Sequence, residues 1–462
     1  MKKLLPLSLI LAAALIVSCQ NQPVDQIKIT GTIKNADTLM LKLVEGQKVD
    51  TIKKAADGTF DYQKVSLKPV NGYLTIGKKY LMVYLIPGKD LSITADLNKW
   101  DSTLVFGGKL KTVAEYLAEK RKAGSKWGKN TVVNYSKEPA AFRVSRDSLE
   151  KVFGELITKY EGMKAFDEQL AAKEKLTARF EKIVDLQNFQ MMSKYYAKKD
   201  TVILPENWND FEKGLKLDDP ALLQINAALQ YIAGYLGETA KKESGLTGDV
   251  WGKPEFLAAK FATIKKTFSS PEMVEAFMFD NLGQQIDGST PKGIDAQLAE
   301  YFALAKNQEQ IADIKKRVSV WADIMPGKQA PDFTVVDMAG KEFSLSQFKG
   351  KYVFIDFWAT WCGPCKQEIP FLKKLYEDFQ KKNIVIMSIS IDQDKKAWEK
   401  MVTAEGFKWY QFHDGNKMSD KFVVRFIPSF ILIDREGKII DPRAPNPSDR
   451  NLRKMLEALP GI

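Results

Sequence analysis

Residues 352–359 read YVFIDFWA, and residues 384–391 read IVIMSISI. Two nearly continuous apolar runs of strand length suit strands covered on both faces. Between them IPFLKKLYEDFQKK is amphipathic with helical spacing. Strand, helix, strand in this order requires an α/β layer. The flanking segments extend it. FTVVDM and KEFSL meet at Ala339-Gly340 as a hairpin, and a helix is expected around AWEKMVTAEG. FILID and KIID are strands joined by Arg435-Glu436-Gly437, and NLRKMLEAL closes the chain as a helix. The expectation is a central mixed sheet.

This layer occupies only the end of a 462-residue chain, long enough for about three domains. From residue 27 to 107 short β-rich runs (IKITGTI, LMLKLV, FDYQKV, YLTIG, YLMVYLI, LSITADL) alternate with turn signals such as ADGT and PGKD. They predict an antiparallel sandwich or barrel. From 108 to 324 the period becomes helical, with breaks at PENW, DDPA, SSPE and STPKG. Phe180, Ile183, Leu186 and Phe189 lie at helical spacing and read as core. Trp208 and Trp251 could line a peptide groove, but packing is the ordinary use of such residues. DIMPGKQAPDF, residues 323–333, has two prolines, a glycine and no period, and reads as a boundary. The fold class expected is multidomain: an all-β sandwich or barrel, an α-helical region, and an α/β domain over 325–462.

The net charge is +11, but lysines are mixed with acids throughout, as in AAKEKLTARFEK. No dense basic block interleaves with aromatics, so nucleic acid is not an expected partner. The first residues, MKKLLPLSLILAAALIV, are a basic start and a short apolar run, which reads as a targeting segment. Its end, Ile16-Val17-Ser18-Cys19, resembles the lipobox of bacterial lipoproteins. The resemblance implies a signal peptide over 1–18, lipidation of Cys19, a tether over 19–26 and anchoring to a membrane by acyl chains. An ordinary signal peptide or an uncleaved anchor are the alternatives. The lipoprotein reading places the chain in the cell envelope, where disulfides can form.

With Cys19 set aside, two cysteines remain, Cys362 and Cys365, spaced C-x-x-C where a buried strand gives way to a helix. Zinc would need four Cys or His ligands, and the only histidine is His413, read as a surface residue without a role. A four-residue loop also constrains little of an unfolded chain, so a structural staple is weak. A redox pair fits better. Cys362 lies at the helix N-terminus, where free N–H groups and the macrodipole favour a thiolate, so it is expected to be the exposed nucleophile. Cys365, one turn on, is expected to be buried and to resolve a mixed disulfide. Gly363 leaves room for a partner chain, and Pro364 sits where its missing N–H costs nothing.

DFWATWCGPCK resembles thioredoxin, and VVRFIPSFILID resembles the thioredoxin segment that carries the cis-proline. The resemblance implies a cis Ile427-Pro428 bond facing the dithiol, with the Ile427 backbone offered to the client. It implies that Asp356 is a buried acid relaying a proton to the resolving step, and that Trp361 shields the disulfide. APDF followed by GKEFSLSQFKGKYVFIDFWATWCGPCKQEIPFL resembles the membrane-tethered branch typified by cytochrome c maturation reductases, and the β-rich segment resembles the N-terminal domain of related envelope lipoproteins. In that branch a glutamate three residues after the second cysteine, here Glu368, tunes the thiols, and a helix–strand insertion, here MVTAEGFKWYQF, precedes the cis-proline. Together these resemblances imply an envelope thiol–disulfide oxidoreductase, leaning to reductase, with its thioredoxin domain in the periplasm. Such an enzyme needs no metal or organic cofactor beyond the Cys362–Cys365 disulfide. Its partners are disulfide-containing envelope proteins and a protein dithiol that donates electrons. A peroxiredoxin would need Pro seven and Thr or Ser three residues before its cysteine. Before Cys362 these positions hold Ile355 and Ala359; before Cys365 they hold Trp358 and Cys362. A non-catalytic binding lipoprotein is the other alternative.

Overall fold

The computed structural model describes residues 26–43, 49–163, 165–199, 201–248, 250–414 and 418–462. The expected signal peptide, Cys19 and all but the last residue of the tether lie outside them. The chain forms two compact units. One comprises residues 1–214 and 224–228, the other 215–223 and 229–462. The division falls within the helical segment.

In the first unit the β-rich segment gives eight strands: β1 Gln26–Lys34, β2 Leu39–Leu43, β3 Val49–Ile52, β4 Thr59–Val65, β5 Val70–Ile76, β6 Lys79–Leu85, β7 Asp90–Asp96 and β8 Val105–Gly107. They pair as two four-stranded sheets, β4-β1-β7-β8 and β3-β2-β5-β6. Alternating apolar residues of both sheets, among them Ile27, Ile29, Leu39, Leu41, Leu74 and Ile93, share one buried core. This is the sandwich of the two expected forms. It is not wholly antiparallel: β1 and β7 run parallel, Lys28 opposite Asp90. Helices α1 Trp100–Thr103, α2 Lys111–Lys129, α3 Thr131–Tyr135, α4 Pro139–Glu161 and α5 Glu168–Ala197 follow. Tyr116, Ile157 and Leu170 join them to the sandwich core. Phe180, Ile183, Leu186 and Phe189 are buried on α5, and Trp208 packs there with its Nε1–H donating to Leu186 O (3.2 Å).

Helices α6 Asn226–Ser244, α7 Pro254–Thr267, α8 Pro271–Gly288, α9 Asp295–Leu304 and α10 Gln308–Trp321 come next. SSPE starts α8 as the sequence suggests: Ser270 caps it, accepting from Met273 N, and Pro271 opens the first turn. PENW and DDPA instead lead into single 3₁₀ turns. The segment expected as a boundary is hydrogen-bonded to the residues around Lys438. Gly327 N donates to Ile439 O (2.7 Å) and Ala330 N to Gly437 O (2.9 Å).

The second unit then forms β9 Thr334–Val336, β10 Glu342–Ser344, β11 Tyr352–Trp358, α11 Gly363–Phe379, β12 Ile384–Ser390, α12 Lys395–Glu405, β13 Tyr410–His413, α13 Met418–Lys421, β14 Ser429–Ile433, β15 Ile439–Ala444 and α14 Arg450–Glu457. The seven-stranded order is β10-β9-β13-β12-β11-β14-β15. β11, β12 and β13 are parallel, while β14 and β15 run antiparallel to their neighbours. Every residue of β11 and of β12 is buried. α12 and β13 are the insertion expected before the proline.

Candidate active site

The site lies where β11 ends and α11 begins. Cys362 is the N-cap of α11, and its Sγ accepts from Cys365 N (3.1 Å). Pro364 sits in the first turn, and a Cβ on Gly363 would meet nothing within 4 Å. Cys362 and Cys365 are joined in a disulfide. Both are buried. Cys362 is only 4% exposed, which corrects the expectation of an exposed sulfur. Cys362 packs in a cluster with Trp358, Ala359 and Trp398, which Ile427 borders. What stands out in solvent is Trp361, 67% exposed.

Opposite the sulfur is the loop before β14. The Ile427-Pro428 bond is cis, and Ile427 O lies 3.7 Å from Cys362 Sγ. A backbone acceptor so placed can also pair with a chain that approaches the sulfur.

Two carboxylates lie inside. Asp356 is fully buried in β11. Phe354, two residues before it, packs with Leu372 and Leu375 of α11, and Trp358, two after, packs with Cys365. Strand alternation therefore turns Asp356 toward α11 between them. Its Oδ2 accepts from Ser388 Oγ (2.7 Å), which accepts in turn from Trp409 Nε1 (2.8 Å). Burial pushes the Asp356 carboxyl up to about 7; the Glu368 charge adds to the rise and the Ser388 bond opposes it. Glu368 is buried one turn beyond Cys365. It accepts from Ser448 Oγ (2.7 Å), Ser448 N (2.9 Å) and Asn446 Nδ2 (3.4 Å). The sequence named Glu368 but not the loop after β15 that holds it.

A second clamp was also missed. Asp392, buried just after β12, accepts from Thr360 N (2.9 Å), Thr360 Oγ1 (2.7 Å) and Ser390 Oγ (2.7 Å). It fixes the turn that presents Trp361 and Cys362. His413 is half-buried, not a surface residue. Its Nε2 is 2.7 Å from Asp392 O and its ring lies against Trp398. Ser388 and Ser390 gave one readable signal, as polar residues at alternate positions of an otherwise apolar strand. A cleft of about 680 Å³ lined by Phe343, Tyr376, Trp409 and Tyr410 lies at the other end of the parallel strands, away from the sulfurs.

The chemistry open to this arrangement is two-electron exchange. A helix N-terminus stabilises a thiolate, a second thiol waits one turn away, and a carboxyl poised near neutrality can hold or release the proton.

Comparison with known proteins agrees. The model of the AhpC/TSA family matches residues 326–441. Thiol-disulfide oxidoreductase ResA of Bacillus anthracis is 37% identical over 116 residues, 25% of this chain and 67% of that protein. ResA of Bacillus cereus is 34% identical over 134 residues, 29% of this chain and 78% of that protein. The thioredoxin domain of a thiol-disulfide oxidoreductase from Bacteroides vulgatus is 32% identical, over 29% of this chain and 96% of that structure, with a TM-score of 0.27. By its likeness to the ResA proteins the chain belongs, over its C-terminal domain, to the ResA-like thiol–disulfide oxidoreductases, and it is an enzyme of that class.

Proposed function

We propose that the protein is a lipid-anchored envelope reductase of protein disulfides. The observation that carries this reading is the Cys362–Cys365 disulfide at the N-terminus of α11, facing the Ile427 carbonyl and backed by the buried Asp356. In the reduced enzyme the Cys362 thiolate attacks one sulfur of a client disulfide. The client S–S bond breaks, a mixed disulfide forms, and one client sulfur leaves as thiolate. The Cys365 thiol passes its proton to the Asp356 carboxylate and attacks Cys362 Sγ, releasing the second client thiolate. The client gains two electrons and the enzyme is left as the disulfide seen here. A protein dithiol re-reduces it.

Cys19 supplies the anchor and residues 20–26 the tether, with the working domain over 325–462 in the periplasm. The β-domain over 27–107 and the helical region over 108–324 stand between anchor and dithiol. Among the described residues no helix is long and apolar enough to cross a membrane. The test is trapping. Cys365→Ser should accumulate a mixed disulfide between Cys362 and client, and Cys362→Ser should accumulate none. Equal trapping by both, or by neither while the wild type turns over, removes the assigned roles.

A further inference from the structure

The loop that carries Ile427 also carries Phe426, and Phe426 closes one side of a cleft of about 450 Å³. The other side comes from the helical segment. Trp251, Phe279 and Gly283 line it, with Asp287 and Arg317 at its margin. Phe426 is 45% exposed and Trp251 58% exposed, so the fold leaves two large aromatic surfaces wet beside one another. Trp251 is more exposed than a core residue, with Lys260 Nζ 5.3 Å from its ring centre. Gly283, on α8, keeps the floor low: a Cβ there would already lie 3.4 Å from Arg317 Nη1. At the charged margin Arg317 is paired to both Asp287 and Asp313, and Asp280 accepts from Gln284 (2.7 Å). The lining therefore presents mainly apolar carbon.

The position of this cleft is fixed. The Arg443 guanidinium of β15 lies 4.6 Å from the ring centre of Trp321, the last residue of α10, and 5.8 Å from that of Phe426. Arg443 Nη2 also donates to Val423 O (2.5 Å). One half-buried side chain so ties the helical wall to the loop in which Ile427, next after Phe426, places its carbonyl 3.7 Å from Cys362 Sγ. Phe426 therefore belongs both to the cleft and to the loop that faces Cys362. An extended chain advances about 3.3 Å per residue.

We propose that this cleft is a specificity subsite that takes an apolar side chain of the client polypeptide near the cystine being reduced, with Trp251 and Phe426 as specificity-determining residues. The proposal rests on the reductase reading above. It gives the helical segment a part in choosing clients, because the family match includes Phe426 but not Trp251, Phe279 or Arg317. Aromatic walls gain most from an apolar occupant.

The test uses the full chain and cystine-containing peptides that differ only in Phe or Ser at each position from one to four residues on either side of the cystine. The wild type should prefer Phe at one position by about tenfold in kcat/KM, carried by KM, as expected for filling an apolar pocket. Trp251→Ala and Phe426→Ala should bring that ratio near one. Gly283→Leu, which removes no packed side chain and fills the cleft, should do the same, and Trp251→Phe should keep most of the preference. A wild type without positional preference overturns the subsite, as does a preference that survives all three disruptive variants. So does a dimer in solution that Trp251→Ala dissociates, since a second copy would then be the occupant. A wild type that reduces none of the peptides sinks the reductase reading itself, before any variant is compared.

Discussion

Asp356 and Glu368 share one helix–strand seam, yet their surroundings set them apart. Asp356 keeps its proton to about pH 7 because it is buried, whereas an unfolded chain releases it near 4. Between those values the folded state binds more protons than the unfolded one, so stability falls as pH rises through that window and is level above it. Asp356→Asn removes that loss. It should be more stable than wild type at pH 8 by about 2–4 kcal/mol and no more stable at pH 4, read from thermal unfolding at the two pH values. An equal advantage at both would show that the carboxyl's charge is not the cause. Glu368 is held by donors 78 and 80 residues away in the chain. Ser448→Ala removes the shortest of its bonds and should cost about 1.5–3 kcal/mol, with Ser448→Thr restoring most of it in denaturant titrations. The same distances explain what was legible. Cys362, Cys365, Pro428 and Asp356 stand in contiguous motifs. Ser448 serving Glu368, or Asp392 serving Thr360 from 32 residues away, has no local mark. The burial of Cys362 could not be read because a helix N-terminus says where a sulfur begins, not that Trp358 and Trp398 pack around it.

Elements were easiest to read where burial is two-sided. β11 and β12 could be little else, and the spacing of α11 followed from what must cover them. The β-domain was harder. Alternation shows which face of a strand is buried but not which strand lies beside it, so the parallel β1–β7 pair was unreadable. β3 and β8 are short, and β3 buries a single residue of four, leaving no run to detect. The α/β core makes a sharp stability contrast. Leu452 on α14 is fully buried with Phe354 and Leu432, while Leu67 is 85% exposed. Leu452→Ala should destabilise the second unit by about 2–5 kcal/mol. Leu67→Ala should stay within about 0.5 kcal/mol of wild type. Denaturant unfolding followed by tryptophan fluorescence separates the two, and similar losses would contradict this packing.

For the whole molecule, the change of sequence period gave the order of β, helical and α/β segments. It did not give their grouping. The chain divides inside the helical segment, and residues 323–333, readable only as a break, are hydrogen-bonded to Gly437 and Ile439. Those bonds belong to backbone groups that any sequence supplies. What the molecule does rests on the two sulfurs, and the reduction potential of the Cys362–Cys365 pair tests this most directly. The full chain would be equilibrated in thiol redox buffers and the fluorescence of the neighbouring Trp358 and Trp361 followed. The account predicts one two-electron transition near the thioredoxin value of about −270 mV, lost in Cys362→Ser. A transition near about −120 mV would make the protein a disulfide donor and reverse the proposed flow of electrons, and a pair that does not titrate would contradict the account outright.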